Sequence, residues 1–319
     1  MHRMADFMKR FRWTSRIAGV AIVASTSFVA AAPVHATYPG RNGLIAFVAD
    51  TGEGSQIYTV RPNGKDLHQI TDLAEGAGAP DWSPDGSRIV FGLGDCTIAF
   101  IDPDGSDLMA LPHGSPEPDV CEGDPSFTPD GSQVVYSAFD PVLEDEAIWI
   151  MDVDGSDRVR LGRSPGGGTD PNVSPDGSTV SFLGFLPNGP TALFAMGIDG
   201  SDVHQVGPAL YGIAFKHDWA PDGRHIVVTD NADDFDHPAN VATMRPDGTG
   251  LRYVTDLQTP SSRAYVGSYS PDEDWIVFRL ENGEGFGLCV VRPDGHALRT
   301  VLPFSEFRPR FIDWGPPVS

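Results

Sequence analysis

Helical periodicity, long apolar runs, cysteine and basic residues are all scarce in this 319-residue chain. After residue 36 no stretch stays apolar for long enough to cross a bilayer as a helix. None repeats its apolar residues at helical spacing either, which argues against a helical bundle or a doubly wound α/β domain. Three cysteines, Cys96, Cys121 and Cys289, are too few to build a disulfide scaffold, and at this length a core needs none. Lys and Arg number 22 against 44 Asp and Glu, a formal charge of −22. That balance disfavours nucleic acid and anionic lipid and favours solubility and cationic partners. Many of the aspartates fall in turns, where they bond the local backbone, so part of the excess is structural. Chemistry-bearing motifs are missing as well. There is no Gly-x-Ser-x-Gly elbow, and the one glycine run, 166–168, has no neighbouring lysine and no following helix to cradle a phosphate.

The first 36 residues read as a secretory leader. Lys9, Arg10, Arg12 and Arg16 form a basic front, 17–32 an apolar stretch, and Val34-His35-Ala36 a small-residue cleavage pattern. The alternative is a membrane anchor, but the apolar stretch is short for a span and carries Ser25, Thr26 and Ser27. Cleavage would remove five basic residues and one acidic one, leaving a formal charge of −26 on 37–319. The expected location is therefore exported, periplasmic or extracellular, where one disulfide can form.

What is abundant is repetition. Asp81-Trp-Ser-Pro-Asp-Gly86 is followed by the apolar run Ile89-Val-Phe91. The phrase returns at Phe127-Thr-Pro-Asp-Gly131, Val173-Ser-Pro-Asp-Gly177, Trp219-Ala-Pro-Asp-Gly223, Tyr269-Ser-Pro-Asp-Glu273 and Trp314-Gly-Pro-Pro317. The prolines at 84, 129, 175, 221, 271 and 316 are 45 to 50 residues apart. A period of that size, carrying short strands and turns, belongs to a radial or solenoid array. A second phrase alternates with the first, as in Ile57-Tyr-Thr-Val-Arg-Pro-Asn-Gly64 and Ile148-Trp-Ile-Met-Asp-Val-Asp-Gly155. Each is a β-rich run closed by Asn-Gly or Asp-Gly, a hairpin signal.

Each unit then holds four strands, and repeating such sheets radially makes a β-propeller. The first unit opens at Asn42-Gly-Leu-Ile-Ala-Phe47 with a second strand that has no first, and Phe311-Ile-Asp-Trp-Gly-Pro316 is a first strand with nothing after it. Joining them closes a ring of six blades and removes the open sheet edges. The Trp-Ser-Pro-Asp-Gly phrase alternating with the Ile-Tyr-x-Met-Asp-x-Asp-Gly-like phrase resembles the PD40, or TolB-like, family of six-bladed propellers, over about residues 40–319. The resemblance implies an all-β propeller acting as a binding module. The family's namesake carries an N-terminal domain ahead of its propeller, and too few residues separate Ala36 from the first strand to expect one here.

In such a ring the Asp-Gly turns share one face and the variable loops the other, where binding residues are usually placed. Cys96 and Cys121 fall in two variable-face loops of one blade, so a bridge is geometrically reasonable, with two free thiols as the alternative. Cys289 sits within a strand and reads as a small core residue. The aromatic positions of the innermost strands should pack between blades, turning their preceding neighbours Asp81, Ser126, Asn172, Asp218, Ser268 and Asp313 toward the central channel. Asp81, Asp218 and Asp313 could hold a hard cation such as calcium, or simply line a hydrated polar channel. The acidic loop 230–237 carries the same ambiguity. Tyr211, Phe215, Tyr265, Phe304 and Phe307 are candidate aromatic anchors at the channel mouth, with packing beneath the loops the alternative. Three functions follow: a module binding a protein or peptide through the variable face and channel mouth, a metal-dependent hydrolase or lyase at the channel, or a structural envelope component. No catalytic residue stands out and no cofactor beyond the possible calcium is implied.

Overall fold

A computed structural model describes residues 40–318, except 51, 53, 95, 113–120, 141–143, 187–190, 209–215 and 232–234. The leader-like segment and the candidate anchors Tyr211 and Phe215 thus lie outside the described residues.

Every repeat forms a four-stranded antiparallel sheet. The first blade contains β1 (Ile45–Asp50), β2 (Ser55–Val60) and β3 (His68–Gln69). The second contains β4 (Ala77–Trp82), β5 (Ile89–Leu93), β6 (Thr97–Ile101) and β7 (Met109–Ala110). The third is β8 (Glu122–Phe127), β9 (Gln133–Asp140), β10 (Asp145–Asp152) and β11 (Val159–Gly162). The fourth is β12 (Thr169–Val173), β13 (Thr179–Phe185), β14 (Thr191–Gly197) and β15 (His204–Gln205). The fifth is β16 (Asp218–Trp219), β17 (Ile226–Asp230), β18 (Asn240–Met244) and β19 (Arg252–Tyr253). The sixth is β20 (Arg263–Tyr269), β21 (Ile276–Asn282), β22 (Gly285–Val291) and β23 (Arg299–Ser305). Finally β24 (Arg310–Trp314) returns to pair antiparallel with β1, placing Trp314 opposite Ile45, so the C-terminal strand completes the first blade. The innermost strands touch in cyclic order, β24, β4, β8, β12, β16, β20 and back to β24. The result is the expected closed, six-bladed, all-β ring.

Side-chain alternation builds six cores, one at each blade junction. Along β1, Ile45, Phe47 and Ala49 pack against the sixth blade, whereas Ala46 and Val48 pack against the second. Because both faces of every sheet are covered, the central strands read as near-continuous apolar runs instead of alternating with polar residues. Trp82, Phe127, Val173, Trp219, Tyr269 and Trp314 are all buried at these junctions. The outermost strands behave differently: β3, β7, β15 and β19 are only two residues long and exposed. They are shorter than the repeat suggests because an edge strand has one neighbour and no covering core, and brevity also discourages edge-to-edge association.

The turns account for much of the acidic excess. In ten Asp turns and two Asn turns among the described residues, the side chain accepts the amide two residues on, as in Ser87 to Asp85 at 3.0 Å and Ser106 to Asp104 at 2.9 Å. Gly86 follows with φ 69°, and a side chain there would meet the Pro317 carbonyl at 2.7 Å, where the chain end closes on the second blade. Both the turn and the close approach demand glycine.

Cys96 and Cys121 are joined in a disulfide, 25 residues apart, and Cys289 is a buried free thiol whose pKa burial pushes up to about 11. Closing a loop of that length should stabilise the fold by about 3 kcal/mol. Cys96→Ser is accordingly expected to unfold at lower urea than the parent under oxidising conditions, with the two coinciding once reductant is added. Equal midpoints before reduction would show that the bridge contributes nothing.

Candidate functional site at the channel and its variable face

Five of the six positions expected at the channel are held by hydrogen bonds to neighbouring blades. Each of four uses an oxygen to clasp the next blade: Asp81 accepts the Phe127 amide (2.9 Å), Asp218 that of Tyr269 (2.8 Å), Ser268 that of Trp314 (2.7 Å) and Asp313 that of Trp82 (3.0 Å). The recipient is always the aromatic residue one position further in the repeat, so the same phrase supplies both halves of the clasp. Asn172 donates from Nδ2 to the His217 carbonyl and to Asp218, each at 3.4 Å, while Ser126 is buried in the same ring.

Lys216 occupies the middle of these carboxylates. It precedes β16 on the fifth blade, yet its Nζ lies 3.9 Å from Asp313 Oδ1 on the first, reaching past the sixth. Burial works against its charge, but Asp313, Asp81, Asp170 and Asp218 outweigh that and hold its pKa above the ordinary lysine value. Burial, and then the Asp313 charge, raise the Asp81 carboxyl well above the usual carboxylate range, with Lys216 and the Phe127 amide opposing. An ammonium thus sits where the sequence suggested a metal. Among the described residues no group of three or more His, Cys, Asp or Glu is arranged to hold a metal ion.

Two further carboxylates escaped the sequence reading. Asp124 and Asp170 stand three positions before Phe127 and Val173, at register shifts in β8 and β12, with φ of 48° and 50°. Ala79 and Phe311 adopt the same left-handed conformation at the matching place in β4 and β24. Such φ values are strained in residues other than glycine and tend to mark sites that the surrounding structure enforces. Burial, then the neighbouring Asp170 and Glu146 charges, push the Asp124 carboxyl up to about 7, against the Ser137 hydroxyl that donates to it at 3.2 Å. The available signal was Asp-Pro in the innermost strand, at Asp124-Pro125 and Asp170-Pro171, in place of Ala79-Pro80.

Asp170 also belongs to a serine–histidine–aspartate chain. His217 Nδ1 lies 3.3 Å from Asp170 Oδ2, and His217 Nε2 lies 2.7 Å from Ser181 Oγ. The spacing is that of a charge relay, but Ser181 and His217 have no exposed surface. The hydroxyl is further engaged by the Trp219 indole N–H at 2.8 Å and the Asn172 carbonyl at 3.2 Å. A nucleophile must reach its substrate, so this chain is a buried brace between the fourth and fifth blades.

On the variable face the described aromatic candidates are at least partly covered. Phe307 packs against Phe47 and Tyr58 at 5.8 and 5.0 Å between ring centres, and Phe304 is half-buried. Tyr265 lies beneath Arg279, whose guanidinium carbon is 4.2 Å from its ring centre. Among the described residues the exposed phenylalanines are Phe139, Phe185 and Phe235, on the third, fourth and fifth blades. Phe139 is the one exposed residue of β9, Phe185 ends β13, and Phe235 follows β17.

The fold and channel define the class: a six-bladed β-propeller whose blades are clasped around a polar core. Residues 116–318 match the TolB beta propeller domain, PD40, and the chain belongs to that family. An uncharacterised protein of Agrobacterium fabrum, Atu1656, is 31% identical over 136 residues, 41% of this chain and 46% of that protein. The uncharacterised peptidase YuxL of Bacillus subtilis is 25% identical over 161 residues, 41% of this chain and 24% of that protein. The matches therefore span less than half the length of these curated relatives. Among solved structures, TolB from Acinetobacter baumannii superposes with a TM-score of 0.70 at 18% identity, over 86% of this chain and 67% of that one.

Proposed function

We propose that this protein is an exported binding module that engages a protein or peptide partner through its variable face and channel mouth. The observation that carries the reading is the exposure of Phe139, Phe185 and Phe235 on three consecutive blades of one face. Exposed Leu67, Leu108, Val203 and Leu298 recur at one repeat position around the circumference, which makes them a by-product of the repeat. Phe139 and Phe185 share one position, eight residues after Gly131 and Gly177, and Phe235 follows in the loop of the next blade, so the exposed rings are confined to consecutive blades, as suits interface anchors. Export rests on the leader-like segment 1–36.

A metal-dependent hydrolase or lyase draws less support, because Asp81, Asp218 and Asp313 each commit an oxygen to a backbone amide and share Lys216 as counter-charge. Calcium binding usually calls for six or more oxygens aimed at one point.

Crosslinking capture from the native envelope fraction tests the binding reading, with the leader-processed protein, Phe185→Ser with Phe235→Ser, and Leu108→Ser as baits. The expected result is a discrete partner retained by the parent and by Leu108→Ser and lost by the double variant. Identical recoveries from all three baits, or none from any, would refute the reading.

A further inference from the structure

The channel mouth is electrically divided. Asp124, Asp170 and Glu146 lie on the third and fourth blades. There Arg160 and Arg163 pair with Asp140 and Asp145, whereas diametrically opposite, on the sixth blade and the start of β24, four arginines gather. Arg279 and Arg308 both contact the same oxygen of Glu281, at 2.8 and 3.2 Å, so one carboxylate serves two guanidinia. Arg310, two residues on, pairs with Asp50 at 2.6 Å and Ser55 at 3.0 Å. Arg263 donates to the Tyr265 hydroxyl at 2.7 Å and, with Arg279, flanks that ring. In a chain carrying twice as many acidic as basic residues, such a concentration of guanidinium groups is against composition.

The cluster is under-compensated. The Arg279 side chain is only 7% exposed, and burial, partly offset by Glu281 and reinforced by Arg308, pushes its pKa down to about 10. The buried Nε groups of Arg279, Arg308 and Arg310 have no hydrogen-bond partner. The three guanidinium groups of Arg279, Arg308 and Arg310 outnumber their two carboxylate partners, Glu281 and Asp50. Above Arg279, the Arg308 and Arg310 side chains remain 43% and 31% exposed, so an anion can reach them. Guanidinium groups match the two oxygens of a carboxylate in a planar fork.

We propose that Arg308 and Arg310, backed by Arg279, form a carboxylate-recognition lip that docks an acidic peptide segment of a partner. The inference rests on the binding-module reading and gives it a ligand chemistry. A peptide is favoured over an acidic oligosaccharide because the same face exposes Phe139, Phe185 and Phe235, which suit apolar side chains set beside carboxylates.

The test is fluorescence anisotropy with a labelled peptide alternating Glu with Phe and Leu, beside its Gln counterpart and trigalacturonate, using the full leader-processed chain. The Glu peptide is expected to bind, to weaken at least tenfold in Arg308→Ala with Arg310→Ala, and to weaken as salt is raised. Arg308→Gln alone, a change at an exposed side chain, should give a loss of several-fold and covers the case where the double variant does not fold. Equal binding of the Gln peptide, no binding of the Glu peptide, indifference to both variants, or tighter binding of trigalacturonate would each overturn the proposal. If envelope capture succeeds but is indifferent to Arg308→Gln, the binding-module reading stands and the arginine lip falls.

Discussion

Replacing Lys216 with methionine is expected to cost about 3–5 kcal/mol of folding stability at pH 8, the usual penalty for removing one partner of a buried charge pair. The reason lies in the carboxylates left behind. Asp313, Asp81, Asp170 and Asp218 all act on this ammonium, whose side chain is 12% exposed. Without it their mutual repulsion has no buried counter-charge. The pH dependence follows from linkage. The folded-state pKa of Lys216 is raised, so its contribution is complete below the unfolded lysine value of about 10.4 and is lost only as pH rises through the folded value. In the variant the stranded carboxylates bind protons more tightly in the folded state than in the unfolded one. The penalty should therefore shrink as pH falls toward 5. Urea midpoints at pH 5 and pH 8 would check this. A loss below 1 kcal/mol, or one that does not change with pH, would show that Lys216 is not the counter-charge of the channel. Adding calcium to the variant asks a further question, whether the vacated space accepts a divalent cation in place of the ammonium.

Asp124→Asn should change the pH profile in the opposite sense, stabilising the protein at high pH. The Asp124 carboxyl is pushed up to about 7 in the folded state, chiefly by burial and by Asp170. Its unfolded value is about 3.9. Between those values the folded state holds the extra proton, so stability falls as pH rises through that window. The loss amounts to about 4 kcal/mol, because each tenfold difference in proton affinity between the two states is worth about 1.36 kcal/mol. Asparagine keeps an acceptor for the Ser137 hydroxyl and removes the charge. Parent and variant should match near pH 4, and the variant should be the more stable by pH 8.5. Asp81 and Glu146 are also raised, but they are common to both proteins and largely cancel in the difference. The turn aspartates do not intrude either. Asp104, Asp154 and Asp199 are held below the usual carboxylate range, first by a serine hydroxyl, so their contribution is lost only at more acid pH. Parallel profiles for the two proteins would mean that Asp124 ionises unhindered.

Much of the architecture was legible because local chemistry repeats. Trp-Ser-Pro-Asp-Gly needs only its own glycine, aspartate and serine to make its turn, as the Ser83 and Ser87 bonds to Asp85 show. Six copies in phase dictate the blade count, and an orphan strand at each end dictates closure through β24 on β1. Alternation also turns the position preceding each aromatic residue away from the blade junction that buries the ring. The chemistry of that position was not legible, because whether an aspartate serves a metal, water or a backbone amide depends on what the neighbouring blade presents.

The aromatic anchors show the same division. Tyr265 and Phe307 lie in variable-face segments of the sequence, yet one is covered by Arg279 and the other packs into the first blade, while Phe185, at the end of β13, is exposed. By itself the sequence determined the all-β class, the six blades, the ring closure and the turn face, since these rest on periodicity and on interactions within a few residues. The tertiary structure alone decided that Lys216 reaches past a blade into the carboxylates, that Ser181, His217 and Asp170 form a buried brace, and that Arg279 and Arg308, far apart in the chain, share Glu281. Those contacts join residues from different strands and repeats, and no local rule ties one blade's loop to another's.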